Sequence, residues 1–312
     1  MSLRNRLLST LRRANGAEML RNELMAHINN QTADLMAHTN HQTAELVAHF
    51  NRVTGLQTSY DQLRELYGIM GRSLFRLRHL DDLKIDVHTN KPVAYDSPDH
   101  LMPWGTRIDN SVHLPFNAKL ARWIPPESLS VLDLGCAGGG FVKSVLEMGC
   151  LAVGIEGSDY SKQKRRAEWA TIPDYLFTAD VTEPFTVVGC RGGQPEQALK
   201  FSVITAWEFL EHIRREQLPA VFRNIDAHLQ PRGVVIMSVS PRPDVVDNVV
   251  LHQTVESREW WLAECQRHGF VHHDRVLPYF GEDWVRNQEN APGSFPLVLS
   301  RQGETLPPLL PT

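Results

Sequence analysis

Short apolar runs alternate with amphipathic segments between residues 130 and 300. The apolar runs are four to eight residues long, which is typical of strands buried in a sheet, and the segments between them carry apolar residues at helical spacing. Strands are predicted at 131–135, 151–156, 177–180, 201–207, 233–240, 270–277 and 295–300, and helices at 141–149, 159–170, 214–229 and 257–269. Strands that alternate with helices predict an α/β fold, in which helices cover both faces of a parallel sheet.

An eleven-residue repeat precedes this region. Residues 23–33 read ELMAHINNQTA, 34–44 read DLMAHTNHQTA and 45–55 read ELVAHFNRVTG. Eleven residues span about three helical turns, and a stripe with this period favours a right-handed supercoil. We interpret residues 1–60 as a helical coiled-coil segment that joins chains into a homo-oligomer. The alternative is a helix that lies on the surface of its own α/β domain.

Residues 61–128 form a less periodic connector of helices and loops. A helix is predicted within 63–80, a loop at 91–111, which is rich in proline and aspartate, and an amphipathic helix at 113–124. The connector is either a lid over an active site or a plain linker. The catalytic domain is predicted at 129–302, followed by a proline-rich tail at 303–312.

Composition and charge narrow the class of protein. The 312 residues are 42% hydrophobic and 22% charged, which excludes a disordered chain and a fibrous repeat. No run approaches the length of a membrane-spanning helix, and the net charge of −4 argues against a nucleic-acid partner. The four cysteines lack disulfide or metal spacing, so a reducing, cytoplasmic compartment is expected. Residues 1–17 are basic and amphipathic, which leaves open a targeting segment, a peripheral membrane contact or a solvated lead-in to the next helix.

A glycine cluster follows the first predicted strand of the sheet. Gly135 and the run Gly138–Gly140 allow a sharp turn and a close approach of the backbone to a ligand. A dinucleotide loop would carry glycine where Ala137 stands, and no GK[ST] follows, which excludes a P-loop. Glu156 ends the next strand, where a carboxylate can accept both ribose hydroxyls, and Asp180 ends the third, where it could accept the amine of an adenine.

These motifs resemble the class I S-adenosylmethionine-dependent methyltransferases. VLDLGCAGGGFV resembles the first motif of that family, VGIEGSD its ribose-binding acid, FTADVTEPF its adenine-side motif, and ITAWEFLEHI the EVLEH segment after its fourth strand. The resemblance implies a Rossmann-like, doubly wound sheet of seven strands with S-adenosylmethionine as cofactor. Ala137 departs from the usual glycine, which tightens the turn without blocking the cofactor. The cofactor-binding residues that the resemblance implies are Asp133, Gly135, Cys136, Ala137, Gly139, Glu156, Gly157, Asp180, Val181, Trp207, Glu208 and Phe209.

The segment after the fourth strand also carries candidate chemistry. Glu208, Glu211 and His212 form an ExxEH cluster, and His252 lies in the loop after the fifth strand. Three interpretations stay open. Glu208 and His212 shape the cofactor pocket through hydrogen bonds, or Glu211, His212 and His252 form the catalytic set with one histidine as the general base. In the third, all four side chains hold a divalent ion such as Mg²⁺ or Mn²⁺, resembling the site of small-RNA 2′-O-methyltransferases.

The acceptor is the least defined part of this prediction. Trp260 and Trp261 resemble an ExxEWW segment of sugar methyltransferases, and the loop 189–197 is long enough to border an acceptor site. The favoured hypothesis is an O-methyltransferase that acts on a sugar or polysaccharide-linked hydroxyl, or on another small molecule. The alternatives are a metal-dependent RNA 2′-O-methyltransferase and a non-enzymatic oligomeric scaffold that binds the cofactor.

Overall fold

The computed structural model describes Met25, Leu80 and residues 82–309. The chain divides into two compact units, Met1–Gly68 and Ile69–Thr312. Apart from Met25 and Leu80, the basic segment, the eleven-residue repeat and the first connector helix lie outside the described residues, so the oligomerisation segment stays a prediction. In the part of the chain that is described, no helix is long and apolar enough to cross a bilayer.

Strands and helices alternate from residue 130 onward, as the apolar pattern predicts. The strands are β1 Leu83–Thr89, β2 Ser130–Leu134, β3 Leu151–Glu156, β4 Leu176–Thr178, β5 Phe185–Arg191, β6 Gln197–Ala198, β7 Phe201–Trp207, β8 Leu229–Val239, β9 Val245–Val246, β10 Val249–Val250, β11 Phe270–His272 and β12 Phe295–Arg301. The α-helices are α1 Pro98–Leu101, α2 Trp104–Ile108, α3 Leu114–Trp123, α4 Gly140–Glu147, α5 Tyr160–Gln163, α6 Leu218–His228, α7 Arg258–Arg267 and α8 Leu277–Phe280. Short 3₁₀ turns lie at Ala167–Ala170, Pro173–Tyr175, Leu210–His212, Arg215–Gln217 and Asp274–Val276.

The main sheet has seven strands in the order β11-β12-β8-β7-β2-β3-β4. β2 pairs in parallel with β3 and β7, β3 with β4 and β7 with β8, whereas β12 runs antiparallel to β8. Successive side chains of β2 enter opposite hydrophobic cores, Val131 on one face and Leu132 on the other. The predicted doubly wound α/β sheet of seven strands is therefore confirmed, and its parallel strands end at one common edge.

Several predicted elements are shorter than the apolar pattern suggests. The strand predicted at 270–277 ends at His272, because the chain turns into a 3₁₀ turn and then into α8, which has Pro278 in its first turn. The helix predicted at 159–170 is interrupted after α5, where Arg165 and Ala167 adopt φ of 47° and 46°. Such left-handed residues cannot continue a right-handed helix.

The predicted loop 189–197 contains strand instead. β5 continues to Arg191, the chain reverses through Gly192 and Gly193 at positive φ, and β6 begins at Gln197. β5 also pairs antiparallel with β1, so the connector supplies the third strand of a small sheet ordered β1-β5-β6. The interpretation of 189–197 as a loop is wrong in part, because residues 189–191 end β5 and Gln197 begins β6, and only 192–196 lie outside a strand. Gly192, Gly193 and Pro195 interrupt the apolar pattern here.

From residue 82 onward the connector is packed into the catalytic unit. Helix α3 buries Phe116, Leu120 and Trp123 in the same core as the β2 side chain Val131. The Trp123 indole Nε1–H donates to the Pro307 carbonyl oxygen at 3.1 Å, which ties α3 to the proline-rich tail. This part of the connector is therefore a layer of the domain rather than a plain linker.

Truncation of a buried leucine in α3 tests this packing. Leu120 is fully buried, so we expect Leu120→Ala to lower the free energy of unfolding by about 2–5 kcal/mol, as large-to-small core substitutions do. Leu114→Ala in the same helix is the matched control, because Leu114 is 51% exposed and its loss should change stability by less than about 0.5 kcal/mol. Urea unfolding of both variants measures the difference. If Leu120→Ala lowered the free energy of unfolding as little as Leu114→Ala, α3 would not contribute to the core.

Candidate functional site

The loop between β2 and α4 turns three times through left-handed backbone. Gly135, Ala137 and Gly139 have φ of 75°, 46° and 87°. An alanine in this region costs about 1–2 kcal/mol, and its neighbours hold it there. The Ala137 N–H donates to Glu156 Oε2 at 2.8 Å, and its carbonyl accepts the Trp169 indole N–H at 2.8 Å. These two bonds offset the departure from glycine that the sequence shows at position 137.

Glu156, at the end of β3, fastens this loop to the next strand. Besides the Ala137 N–H, its carboxylate accepts the Ser158 N–H at 3.1 Å. Burial raises the pKa of Glu156 above its usual value, although both N–H donors act in the opposite direction. The Gly157 carbonyl accepts the Ala94 N–H at 2.9 Å, so the connector also reaches this edge of the sheet. The predicted ribose-side acid therefore lies beside the glycine loop, as a ribose site requires.

Asp133 lies within β2 and is buried. Its Oδ1 accepts the Thr205 hydroxyl at 2.6 Å, and burial raises its pKa to about 8 in spite of that bond. With the predicted residues Gly135, Cys136 and Trp207 it lines a small cavity, whose other lining residues are Asp109, Ser111, Phe141, Val285 and Arg286.

Asp180 lies after β4 and is engaged by the connector. Its carboxylate accepts the Thr182 N–H at 2.9 Å and hydroxyl at 2.6 Å, and it forms an ion pair with Lys91 Nζ at 2.9 Å. Burial opposes ionisation, but these partners outweigh it and lower the pKa of Asp180. The neighbouring Val181 is buried, and its carbonyl accepts the Asn224 amide N–H at 2.8 Å.

The end of β7 places Trp207, Glu208 and Phe209 over the glycine loop. Glu208 adopts φ of 50° and donates its N–H to the Ser238 carbonyl at 3.1 Å. A Cβ on Gly135 would lie 2.7 Å from the Phe209 ring, so glycine is needed here for the ring to approach. Within residues 82–309, Trp207 Nε1 and Glu208 Oε1 are buried polar atoms without a hydrogen-bond partner. Such atoms point to a ligand, because leaving them unpaired is costly.

Glu211 is fully buried and braces two loops. Its Oε1 accepts the Ser240 N–H at 2.7 Å, and its carbonyl accepts the N–H groups of Gln253 and Thr254 at 2.7 and 2.9 Å. Burial raises its pKa to about 8. This position joins the loop after β7 to the loop after β8 and so brings His252 toward His212.

The two histidines lie against each other in opposite charge environments. Their rings meet edge to face with centroids 4.7 Å apart. His212 Nδ1 lies 3.0 Å from Asp99 Oδ2 in α1, and although burial opposes the charge, Asp99 raises the pKa of His212 to about 9. His252 Nδ1 donates to the Arg242 carbonyl, and burial, together with the neighbouring His212, lowers its pKa.

The positions of the candidate ligand side chains do not support a metal site. Within residues 82–309 no group of three or more histidine, cysteine, aspartate or glutamate side chains is placed to hold a metal ion. The predicted set of Glu208, Glu211, His212 and His252 forms no such group among the described residues. Glu211 Oε1 accepts the Ser240 N–H, and His212 Nδ1 pairs with Asp99.

The two tryptophans that the sequence offers for contact with a sugar already pack against other side chains. Trp261 is fully buried in the core. Trp260 is half-buried, and the guanidinium carbons of Arg215 and Arg267 lie 5.0 and 5.9 Å from its ring centroid. The ring that sequence reasoning offered for stacking on a sugar therefore already packs against two arginines.

Residues 109–111, which we call the strap, cross the glycine loop. The Gly138 N–H donates to the Asp109 carbonyl at 3.1 Å, and a Cβ on Gly140 would lie 2.5 Å from the Asn110 carbonyl oxygen. The cavity beside the strap measures about 10 Å³, whereas pockets for ligands of drug size are larger by well over tenfold. The glycine cradle is thus covered by the connector of the same chain.

Comparison with known proteins identifies the family. A profile described as a methyltransferase domain matches residues 112–278, more than half of the chain. The chain belongs to this methyltransferase family. The match starts just before α3 and ends within α8, so it spans the glycine loop, both strand-end acids and both histidines.

The solved structures that are similar to this methyltransferase are distant. An S-adenosylmethionine-dependent methyltransferase from Mesorhizobium loti is 18% identical, with 59% of this chain and 96% of that chain covered and a TM-score of 0.38. A sugar N-methyltransferase from Streptoalloteichus is 16% identical over 69% and 95% of the chains, with a TM-score of 0.42. A 1,6-didemethyltoxoflavin N1-methyltransferase from Burkholderia thailandensis is 15% identical over 70% and 94%, with a TM-score of 0.46. Comparison with curated protein sequences finds no match.

The protein is a methyltransferase, and S-adenosylmethionine is the cofactor that its sequence motifs imply. The residues present fit that group: the left-handed turn of the glycine loop, the acids Glu156 and Asp180 at successive strand ends, and the unpaired Trp207 Nε1. When bound, the cofactor supplies an electrophilic methyl group on a sulfonium sulfur. The strap lies across part of this loop, and the cavity beside it is small.

Sequence reasoning missed the partners that the connector and the chain beyond β11 supply. Lys91 pairs with Asp180, Asp99 with His212, and Arg286 with Asp109. These residues belong to no motif, and each lies more than 80 positions from its partner in the sequence. The proline- and aspartate-rich composition of 91–111 was the one available signal, and it indicated only a loop.

The raised pKa of Asp133 predicts a pH dependence of stability. Its folded pKa of about 8 lies above the usual 3.8, so its contribution to the free energy of unfolding declines as the pH rises from about 4 to 8. Asp133→Asn keeps an oxygen for the Thr205 hydroxyl and removes the titration. We expect the variant to gain stability relative to the wild type at each step from pH 5 to pH 8, measured by urea unfolding. A pH-independent difference would mean that Asp133 is already ionised across this range.

Proposed function

We propose that this methyltransferase acts on a hydroxyl group, most simply one of a sugar, a polysaccharide-linked sugar or another small polyhydroxylated molecule. The observation that carries the proposal is the His212–His252 pair, which lies at the strand edge that also holds the cofactor loop. A hydroxyl is a weak nucleophile at neutral pH and requires a base, whereas many nitrogen and sulfur acceptors do not.

The surroundings of His252 suit a general base. A carbonyl only accepts hydrogen bonds, so the Arg242 carbonyl fixes the proton of His252 on Nδ1 and leaves the lone pair of neutral imidazole on Nε2. Burial and the adjacent His212 lower the pKa of His252, which keeps it neutral at pH 7. His252 Nε2 then accepts the hydroxyl proton as the acceptor oxygen attacks the methyl carbon.

His212 has the complementary role. Asp99 holds it as an imidazolium at neutral pH through Nδ1, which leaves the Nε2–H as a donor. A cationic donor stabilises the negative charge that develops on the acceptor oxygen as its proton leaves. Two histidines whose pKa values are displaced in opposite directions are the pattern of a divided acid and base.

A polyhydroxylated acceptor fits the side chains around the pair. Asp99 pairs with His212, and the charge of Asp244 acts on both histidines, so ionisable hydrogen-bonding groups surround the reacting position. Sugar hydroxyls both donate and accept, which such groups can match. The metal-dependent RNA alternative lacks the ligand group that it requires within the described residues, and the formal charge of −4 gives no support for binding phosphates.

Removal of the base tests the proposal. With methyl-labelled S-adenosylmethionine and a panel of sugars, glycans, phenols, amines and RNA, we expect labelling of hydroxyl acceptors. His252→Gln should lower kcat by about 10²–10⁴-fold, the usual contribution of a general base, and leave the affinity for S-adenosylhomocysteine unchanged. His88→Gln is the control, because His88 lies exposed on β1 and pairs with Glu196. Labelling of amines alone, or full activity in His252→Gln, would contradict the proposal.

The opposite pKa shifts predict a bell-shaped dependence of kcat/KM on pH. Activity should rise as His252 loses its proton, below its usual 6.5, and should fall as His212 loses its proton at about 9. Asp99→Asn removes the carboxylate that raises the His212 pKa, so the alkaline limb should move to lower pH. An alkaline limb that does not move would show that the protonation of His212 does not control the reaction.

A further inference from the structure

An ion pair covers the cofactor loop at the edge of the sheet. Arg286 Nη2 donates to Asp109 Oδ2, and both side chains line the cavity that also contains Asp133, Gly135 and Trp207. The other carboxylate oxygen of Asp109 accepts the N–H and hydroxyl of Ser111 at 3.1 and 2.6 Å. The pair thus joins the strap to the segment after α8.

The arginine has more donors than the aspartate uses. A guanidinium presents its N–H groups in a planar fork that matches both oxygens of a carboxylate. Asp109 takes one terminal nitrogen of Arg286, and in the part of the chain that is described the buried Arg286 Nε has no acceptor. Trp207 Nε1 on the same cavity is also unpaired. The unpaired Arg286 Nε and the unpaired Trp207 Nε1 on the same cavity indicate a site for an anion with two oxygens.

We propose that Arg286 binds the α-carboxylate of the methionine moiety of the cofactor, and that Asp109 is an internal carboxylate that occupies Arg286 until the cofactor binds. The cofactor carries one carboxylate, and Arg286 lies beside Asp133 and Gly135 on the first strand and loop of the cradle. The inference depends on the cofactor alone and holds for any acceptor.

The exchange of carboxylates also explains how the cradle opens. The strap is held by the Arg286 ion pair, by Arg166, which donates to the Asp109 carbonyl, and by the Gly138 N–H. A second carboxylate on Arg286 removes the first of these contacts. In this proposal a ligand that occupies the glycine loop displaces the strap, whereas only a ligand with a carboxylate regains the bond to Arg286.

Two ligands separate these effects. S-adenosylhomocysteine and 5′-methylthioadenosine share the nucleoside and the thioether, and only the first has the amino acid carboxylate. We expect Arg286→Gln to lower the ratio of their affinities by about tenfold or more, the usual effect of one charge-assisted hydrogen bond, without weakening 5′-methylthioadenosine. Arg286→Lys, which keeps the charge and loses the fork, should lower the ratio by less. Arg223→Gln is the matched control, because Arg223 is exposed on α6.

Asp109→Asn tests the internal carboxylate. It removes the ion pair and leaves Arg286 intact, so both ligands should bind more tightly, by about threefold or more for the loss of a partly exposed ion pair. The ratio of their affinities should stay that of the wild type. Isothermal titration calorimetry measures all of these constants in the full-length protein.

Three outcomes would overturn the proposal. An unchanged affinity ratio in Arg286→Gln would show that Arg286 does not bind the carboxylate. Equal weakening of both ligands in Arg286→Gln and Arg286→Lys would show that the arginine only supports the fold. Weaker binding of both ligands to Asp109→Asn would show that Asp109 belongs to the bound form and does not compete with the cofactor.

Discussion

The hydrogen bond from the Ala137 N–H to the Glu156 carboxylate is the contact on which the site depends. It holds the loop after β2 against the end of β3 and keeps Ala137 in a left-handed conformation that its side chain disfavours. The same bond orients the acid that the sequence predicts to accept the ribose hydroxyls. Because the carboxylate is buried and also accepts the Ser158 N–H, it stays in one position and fixes the cradle before any cofactor binds.

The connector supplies charged partners to side chains around the predicted site. Across a span of fewer than 20 residues it supplies Lys91 to Asp180, Asp99 to His212 and Asp109 to Arg286. Each pair involves a segment that sequence reasoning left as either lid or linker. The first pair holds the predicted adenine-side acid, the second sets the charge of a histidine, and the third joins the strap to the segment after α8. One layer of chain therefore contacts most of the predicted site.

The sheet can be predicted from the sequence because the patterns that define its strands lie within short stretches of neighbouring residues. The apolar runs of β2 and β8 and the glycines after β2 are properties of neighbouring residues, and the family motifs coincide with strand ends. The contacts that define the charge of the site are not local: Asp99 and His212 lie 113 positions apart. The ExxEH pattern left open a pocket-shaping role, a catalytic base and a metal set, and in the structure the buried Glu211 accepts the Ser240 N–H. A pattern along the chain cannot show which carboxylates become buried.

The central claim is that the cofactor replaces the strap on the glycine loop. Amide hydrogen exchange with and without S-adenosylhomocysteine tests it most directly, because the Gly138 N–H donates to the Asp109 carbonyl in the present structure. We predict faster exchange in residues 109–111 and slower exchange in residues 135–140 when the ligand binds. If residues 109–111 become more protected, or do not change while the glycine loop does, the strap does not cover the cofactor site.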